Sequence, residues 1–309
     1  MGMRDYVTRG FRENYKVMQL TDLHLVRVGI GGPEEDVFRL VRKLVDMENP
    51  DMIVITGDAV YTDASNNCLS YFCRFMDSLC IPWAYAMGNH DDNDGPGYEV
   101  LEPILYNTTY GLYRHGNAGV TGFGNYVVGL IDENRTPVWL LYLMDTHDGR
   151  RTGYKFYQDQ LDWYRDRREL FRDVRGAYSP SMFFFHIPLP EFQQVWDSGK
   201  AVGVNLEGVA ALEEDTGFFS AITEKGDARG VFVGHDHVND FAGMKDGVLL
   251  AYGRATTVPG QKIEGIPRCG YLWDGYLPGC RMMELHKDGT FRTWIRLSDG
   301  STLYENAEF

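Results

Sequence analysis

The chain has 309 residues, of which 44% are hydrophobic and 24% charged, enough for one large globular domain or two ordinary ones. Its net charge of −14 argues against non-specific binding of nucleic acid or anionic membranes, although carboxylates in such a chain can hold metal cations. The sequence has neither an apolar run of about 18 residues nor an apolar signal core near its start, so it predicts no membrane span and a cytoplasmic protein.

The N-terminal third of the chain predicts strands that alternate with helices. Short apolar runs begin at Lys16, Asp51 and Trp83, and helical patterns separate them. Right-handed crossovers between such strands produce a parallel sheet whose strand C-termini lie at one edge. The predicted elements are a strand over 16–20, a helix from Pro33 to the stop at Asn49-Pro50, a strand over 51–58, a helix over 66–79 and a strand from Trp83.

Polar side chains follow all three of these strands. The third stretch, taken alone, is equally typical of a turn in which Asn and Asp are chosen for turn geometry. Because the strand ends meet at one edge, the carboxylates and imidazoles are expected to converge, which favours a functional site. The three stretches are Asp22-Leu23-His24, Gly57-Asp58 and Gly88-Asn89-His90-Asp91.

The remainder of the chain predicts a second sheet. Two buried-type strands end in histidine, one at His186 and one at Gly234-His235-Asp236-His237, and the segment 197–215 is expected to form a loop over the site. The other predicted elements are an antiparallel meander of strands over 113–115, 125–132 and 138–145, a helix over 157–171, and strands over 248–252, 281–286 and 291–297.

We therefore expect an α/β fold in which two mixed β-sheets pack face to face with helices outside, a four-layer αββα sandwich. Because the candidate site residues come from both halves of the chain, residues 1–309 are expected to form a single domain. Residues 1–15 precede the first predicted strand and are expected to form a mobile tail.

Histidines at the ends of strands are the main indication of a metal site in the sequence. A single histidine near a strand end is more often structural, but five of the eight histidines occupy such positions. Borderline divalent metals accept imidazole and carboxylate ligands, and a central carboxylate can bridge two ions. Ions about 3.5–4 Å apart clamp a phosphoryl group. The five residues are His24, His90, His186, His235 and His237.

The order of these motifs resembles that of the calcineurin-like metallophosphoesterase superfamily. Five blocks carry the resemblance, and they spread over the chain from residue 22 to residue 237. The stretches 186–190 and 234–240, together with Tyr252-Gly-Arg254, look most like the branch of yeast Dcr2-type and plant purple-acid-phosphatase-like proteins. The blocks are Asp22-x-His24, Gly57-Asp58, Gly88-Asn89-His90-Asp91, the lone His186, and Gly234-His235-Asp236-His237.

The resemblance implies a centre of two divalent or trivalent metal ions, chosen among Mn, Fe, Zn, Ni and Co. A metal-bridging hydroxide would attack the phosphorus of a small phosphate ester in line, without a phosphoenzyme. The implied ligands are Asp22, His24 and His237 for the first ion, Asn89, His186 and His235 for the second, and Asp58 as the bridge.

Two further roles follow from the same resemblance. His90 would face the substrate, stabilise the phosphoryl oxygens and protonate the leaving oxygen as general acid. Asp91 would orient the His90 ring through a hydrogen bond. Arg254 follows a strand end and is a candidate for bidentate contact with phosphate, with a surface salt bridge as the alternative.

Tyr61 introduces a departure from the pattern. The block Gly57-Asp58-x-x-Tyr61 matches true purple acid phosphatases, whose tyrosine binds ferric iron, yet those enzymes have no histidine in the first block. Both side chains would compete for the same side of the first ion. We favour His24 as the ligand and Tyr61 as a packing residue.

The expected function is hydrolysis of phosphate esters, with monoesters slightly favoured. The alternatives are a phosphodiesterase that acts on a nucleotide or lipid-derived diester, and a non-catalytic interaction module of the same fold. Retention of every ligand position and of His90 disfavours the module. The negative charge and the lack of a basic stripe disfavour a nuclease.

Overall fold

The computed structural model describes residues 5–26, 33–61, 67–91, 97–147, 153–173, 176–258 and 272–307. None of the helices in these ranges combines the length and apolar character that a bilayer crossing needs. The helices are α1 (Pro33–Glu48), α2 (Asn67–Ser78), α3 (Tyr98–Tyr106), α4 (Gln158–Leu170), α5 (Glu191–Asp197) and α6 (Phe218–Thr223). The strands are β1 (Tyr6–Gly10), β2 (Tyr15–Leu20), β3 (Met52–Thr56), β4 (Trp83–Ala86), β5 (Tyr126–Ile131), β6 (Pro137–Leu143), β7 (Ser181–Phe184), β8 (Ala228–Val233), β9 (Ala242–Lys245), β10 (Val248–Tyr252), β11 (Gly279–Leu285), β12 (Phe291–Leu297) and β13 (Thr302–Leu303).

The strands form two mixed sheets. A seven-stranded sheet has the order β1-β5-β6-β7-β8-β10-β9, and a six-stranded sheet has the order β13-β12-β11-β2-β3-β4. Strands β2, β3 and β4 are parallel neighbours, which confirms the β-α-β-α-β prediction for the first third of the chain. Strands β6, β7, β8 and β10 are also parallel neighbours, so a second group of carboxyl ends shares one edge.

Alternation of side chains along each strand divides the core into layers. Val128 of β5 and Phe184 of β7 belong to the cluster that contains residues of both sheets and of α1 and α2. Their neighbours Val127 and Phe183 belong to a second cluster, which packs under α4, α5 and α6. The two sheets with helices on their outer faces confirm the predicted four-layer sandwich.

Two predicted segments differ from the observed fold. Tyr6–Gly10 pairs in parallel with β5, although the sequence predicts a mobile tail over 1–15. Tyr6, Val7 and Thr8 are residue types enriched in strands, but five residues give only a weak local signal, and pairing with the distant β5 decides the structure. The predicted strand 113–115 is absent from the described elements, and the pairing just before it is an isolated bridge between Gly111 and Trp83.

The predicted meander is correct only in part. Strands β5 and β6 are antiparallel, but β6 runs parallel to β7 on its other side. The carboxyl end of β6 therefore lies beside the carboxyl end of β7. This arrangement adds Asp145, Thr146 and His147, which follow β6, to the edge where His186 lies.

Candidate metal centre

Buried polar side chains join the two sheets at the edge where the candidate residues lie. The Nε2 atom of Gln19 donates to Oγ1 of Thr56 at 2.8 Å and to the backbone oxygen of Val233 at 3.0 Å. Thr21 donates from Oγ1 to the backbone oxygen of Thr56 at 3.0 Å. Gln19 and Thr21 therefore hold the ends of β2, β3 and β8 close together.

Four of the candidate ligands have a left-handed backbone. The φ angles are 53° at Asp22, 51° at His24, 51° at Asp58 and 78° at His235. Such angles cost about 1–3 kcal/mol each in non-glycine residues and cluster at functional sites. Gly88 is required for a different reason, because a Cβ atom there would overlap the carboxylate of Asp58.

Asp22, His24 and His237 form the first candidate ligand group. The Nε2 atoms of His24 and His237 are 2.9 Å apart. Oδ1 of Asp22 lies 3.6 Å from Nε2 of His237 and 3.9 Å from Nε2 of His24. All three side chains are buried, and their candidate ligand atoms lie within 4.8 Å of one another. These are the three residues predicted to hold the first ion.

Asp58 lies between this group and a second one. Its Oδ2 atom is 3.5 Å from Nε2 of His24 and 3.2 Å from Nε2 of His186. Oδ1 of Asn89 is 3.0 Å from the same nitrogen of His186. The His235 ring is 5.1 Å from the His186 ring, centroid to centroid. Asp58 is thus close to both His24 and His186, and Asn89 and His235 lie beside His186. The assignment of these residues to a second ion stays a prediction.

The donor atoms of this centre fit cations. Nδ1 of His186 donates to the backbone oxygen of Thr56 at 2.8 Å, so in the neutral ring the lone pair of Nε2 faces Asp58 and Asn89. Oδ2 of Asp58 is buried and accepts no hydrogen bond from the described residues. A buried carboxylate oxygen requires a compensating proton or cation. Imidazole, carboxylate and amide donors suit borderline divalent metals.

Electrostatics at the centre also favour positive charge. Burial opposes a charged imidazole at His186, but the carboxylates of Asp58 and Asp22 outweigh it and raise the pKa of His186 to about 10. Burial opposes ionisation of Asp58 as well, yet His186 and His90 hold the pKa of Asp58 well below its usual value. Burial and the neighbouring His186 lower the pKa of His235 to about 3, which keeps that ring neutral and able to bind a cation.

The position of Asp91 corrects its predicted contact. Its carboxylate accepts backbone N–H groups from Asp58 at 3.1 Å, Val60 at 3.1 Å and Gly88 at 2.7 Å, instead of orienting the His90 ring. Asp91 therefore joins the loops after β3 and β4. Burial and the charge of Asp58 raise the pKa of Asp91 to about 7. Oδ1 of Asp58 accepts the backbone N–H of His90 at 2.8 Å, so Asp91 and Asp58 both hold the loop that carries His90.

His90 lies at the border of the first group. Its half-buried ring is 5.4 Å from the His24 ring and 4.8 Å from the Tyr61 ring. The Tyr61 ring is 6.1 Å from the His24 ring, so it packs beside both histidines. Tyr61 thus makes the ring contacts of a packing residue, and the choice of His24 over Tyr61 as the ligand stays a prediction.

Arg254 does not form the surface salt bridge considered as its alternative role. The side chain is buried, and Nη1 donates to Oδ2 of Asp240. Nε donates to the backbone oxygen of Leu277 at 2.8 Å, and the guanidinium lies 3.2 Å from the centroid of the Tyr276 ring. Two donor positions and one face of the group are thus occupied within the protein. The predicted phosphate contact stays a prediction.

Replacement of Arg254 with Met is expected to lower the free energy of unfolding by about 3–5 kcal/mol, because it leaves the buried carboxylate of Asp240 without its cation. Urea denaturation measures this change, and Arg229→Met serves as the control because Arg229 donates only to backbone oxygens among the described residues. A large fall in kcat/KM at unchanged stability would instead support the phosphate role of Arg254.

Residues after β8 support the histidine loop by binding the segment around Glu207. Oδ1 of Asn239 accepts the backbone N–H of Leu206 at 2.9 Å, and Oδ1 of Asp240 accepts that of Val204 at 2.9 Å. Oε1 of Glu207 accepts the N–H of Val238 at 2.8 Å. The segment around Glu207 lies within the predicted loop 197–215. The polar residues Asn239 and Asp240, which follow His237, are the sequence feature that indicates this support.

Two side chains near the centre had no clear signal in the sequence. The half-buried Tyr154 ring lies 6.3 Å from the His235 ring. Oγ1 of Thr146 accepts the backbone N–H of Ile187, next to His186, at 3.3 Å. Thr146 was missed because only the parallel pairing of β6 with β7 brings it to this edge.

Similarity to known proteins agrees with this geometry. The profile of the family described as Calcineurin-like phosphoesterase matches residues 15–239. The Arabidopsis thaliana protein named probable inactive purple acid phosphatase 29 is 30% identical over 277 residues, covering 77% of this chain and 71% of that protein. Phosphatase DCR2 of Saccharomyces cerevisiae is 29% identical over 283 residues, covering 77% of this chain and 47% of that protein.

Fold similarity extends over nearly the whole chain. The crystal structure of a dimetal phosphatase from Danio rerio superposes with a TM-score of 0.58 at 11% identity, covering 96% of this chain and 100% of that one. At this identity the likeness shows the fold alone. The profile match over more than half of the chain, and the relatives in the predicted branch, confirm the resemblance read from the motifs. The chain belongs to the calcineurin-like phosphoesterase family.

Proposed function

We propose that this protein is a two-metal hydrolase of small phosphate esters and that it prefers phosphomonoesters. The observation that carries the proposal is the central position of Asp58, whose Oδ2 lies within 3.5 Å of His24 and 3.2 Å of His186. One carboxylate is thus able to serve two neighbouring ligand groups. The phosphatase names of relatives support the preference for monoesters.

The residues of the centre have separate tasks in this proposal. Bound ions would act as Lewis acids that activate water and polarise the phosphoryl oxygens. The contact of His186 Nδ1 with the backbone oxygen of Thr56 holds the ring so that Nε2 faces Asp58 and Asn89. The proposed ligands are Asp22, His24 and His237 on one side, Asn89, His186 and His235 on the other, and Asp58 between them.

His90 supplies the proton in this proposal. Its ring lies beside His24 but outside both candidate groups, and its backbone N–H is held by Oδ1 of Asp58. An imidazole N–H of His90 stabilises the phosphoryl oxygens and then passes its proton to the leaving oxygen. Asp91 keeps this loop in position through its backbone contacts.

The test compares p-nitrophenyl phosphate with bis-p-nitrophenyl phosphate on one preparation of known metal content. We expect kcat/KM to be at least about tenfold higher for the monoester, which corresponds to about 1.4 kcal/mol of transition-state stabilisation. Removal of metal with a chelator should abolish both activities, and added Mn, Fe, Zn, Ni or Co should restore them. A preference for the diester would establish the phosphodiesterase alternative, and full activity without metal would refute the two-metal proposal.

A non-catalytic interaction module is the second candidate, because a relative at 30% identity is named probable inactive. Such a protein would bind metal and stay folded but would turn over neither substrate. The two groups of clustered ligand residues, Asp22, His24 and His237 and Asp22, Asp58 and His186, together with the nearby His90, support a catalytic protein instead. Metal analysis together with turnover separates the two candidates.

A further inference from the structure

A groove between α1 and α2 differs in charge from the rest of the molecule. It encloses about 370 Å³, and every described residue that lines it belongs to one of these two helices. Three of them are arginines, Arg39, Arg42 and Arg74, against a single carboxylate, Glu35. In a chain with a net charge of −14 this is a local excess of cations. None of the proposed metal ligands lines the groove.

Aromatic rings form the floor of the groove and hold two of the arginines. The rings of Phe38 and Phe75 are stacked, with centroids 4.1 Å apart and an angle of 21° between their planes. The Arg42 guanidinium lies 5.1 Å from the centroid of Phe75, and that of Arg74 lies 5.6 Å from the centroid of Tyr71. Such cation–π contacts restrict a guanidinium before a ligand arrives, so less entropy is lost on binding.

Arg42 and Arg74 retain donors for a ligand. Arg39 is neutralised by ion pairs with Glu35 and Asp36. By contrast, neither Arg42 nor Arg74 has a carboxylate within 4.0 Å among the described residues, and the hydrogen-bond acceptor found for Arg42 is Oγ of Ser78 at 3.0 Å. A guanidinium has several N–H donors and no acceptor, and it binds carboxylates bidentately.

We propose that this groove binds a peptide segment rich in Asp and Glu from a partner protein. Peptide carboxylates bind Arg42 and Arg74, and an apolar side chain of the peptide packs on the half-buried Tyr71 ring beside the buried Phe38–Phe75 pair. Charge complementarity selects such a partner, since an acidic segment is repelled by most of this acidic chain and attracted only locally. The groove volume of about 370 Å³ favours a peptide over a small anion, because a small anion would leave most of the groove unfilled.

Fluorescence polarisation tests this assignment with a labelled peptide of glutamates around one phenylalanine. The double variant Arg42→Gln, Arg74→Gln should bind at least about tenfold more weakly than the unchanged protein, and added salt should weaken binding. The matched control is Arg165→Gln, an arginine of α4 that is 41% exposed and should leave binding unchanged. Hydrolysis of p-nitrophenyl phosphate should be the same in all three proteins, so the result does not depend on the proposed function.

Several outcomes would overturn the proposal. Equal binding of a peptide with glutamine in place of glutamate would show that charge does not drive binding. Unchanged binding by the double variant would show that the peptide does not bind in this groove. If inorganic phosphate displaces the peptide and the central phenylalanine contributes nothing, the groove is a small-anion site. If sedimentation velocity detects dimers that the double variant loses while no peptide binds, the occupant is a second copy of the chain.

Discussion

Replacement of His90 with Ala is expected to lower kcat by about 10²–10⁴-fold, the usual contribution of a general acid, without a change in metal content. The reason is the position of the ring, which lies 5.4 Å from the His24 ring but outside both candidate ligand groups. The backbone contact between His90 and Oδ1 of Asp58 persists in the variant, because it uses the main-chain N–H. Both ligand groups should therefore keep their geometry.

The leaving group makes this prediction specific for proton transfer. p-Nitrophenolate leaves with little need of a proton, whereas an alkoxide needs one, so the loss should be larger for an alkyl phosphate than for p-nitrophenyl phosphate. His286→Ala is the matched control, since its ring is half-buried and bonds to Oδ1 of Asn14 at 3.2 Å. An equal loss with both substrates, or a loss of metal, would show that His90 has a different role.

Asp58→Asn is expected to produce the second large effect, a loss of bound metal together with a fall in kcat/KM of at least about 100-fold. Changes to residues that merely support metal ligands cost about 10–100-fold, and a shared ligand should cost more. Asparagine keeps the size of the side chain and the Oδ1 acceptor for the N–H of His90. It replaces the charged Oδ2, which lies near His24 and His186, by an uncharged amide nitrogen.

Metal content after gel filtration and kcat/KM at saturating metal together measure this effect. Because Asp58 is proposed as a ligand of both ions, both should be lost, whereas a residue proposed to serve one ion should affect that ion alone. Asp162→Asn on α4 is the control, since that side chain is 61% exposed and pairs only with solvent-facing partners such as Arg165. A folded Asp58→Asn protein with the metal content of the unchanged chain would exclude the bridging role.

Local sequence patterns determined which residues could belong to the site. The apolar run of β3 ends in Gly57-Asp58, and that of β8 ends in Gly234-His235, so strand and candidate ligand are neighbours in the chain. Parallel order then brings such ends to one edge whatever the details of packing. This is why the ligand candidates and the two-sheet fold could be predicted without coordinates.

Tertiary structure alone decided which contacts these and other side chains make. The Asp91 carboxylate binds backbone N–H groups of two loops, and Arg254 is buried against Asp240, although both lie beside motifs that suggested other roles. The strand β1 and the parallel pairing of β6 likewise depend on partners far away in sequence. The local sequence shows whether a residue is apolar, charged or typical of turns. A buried charge needs an opposite charge or a hydrogen-bond partner close by. Which residue becomes that partner depends on the distant segments that pack around it.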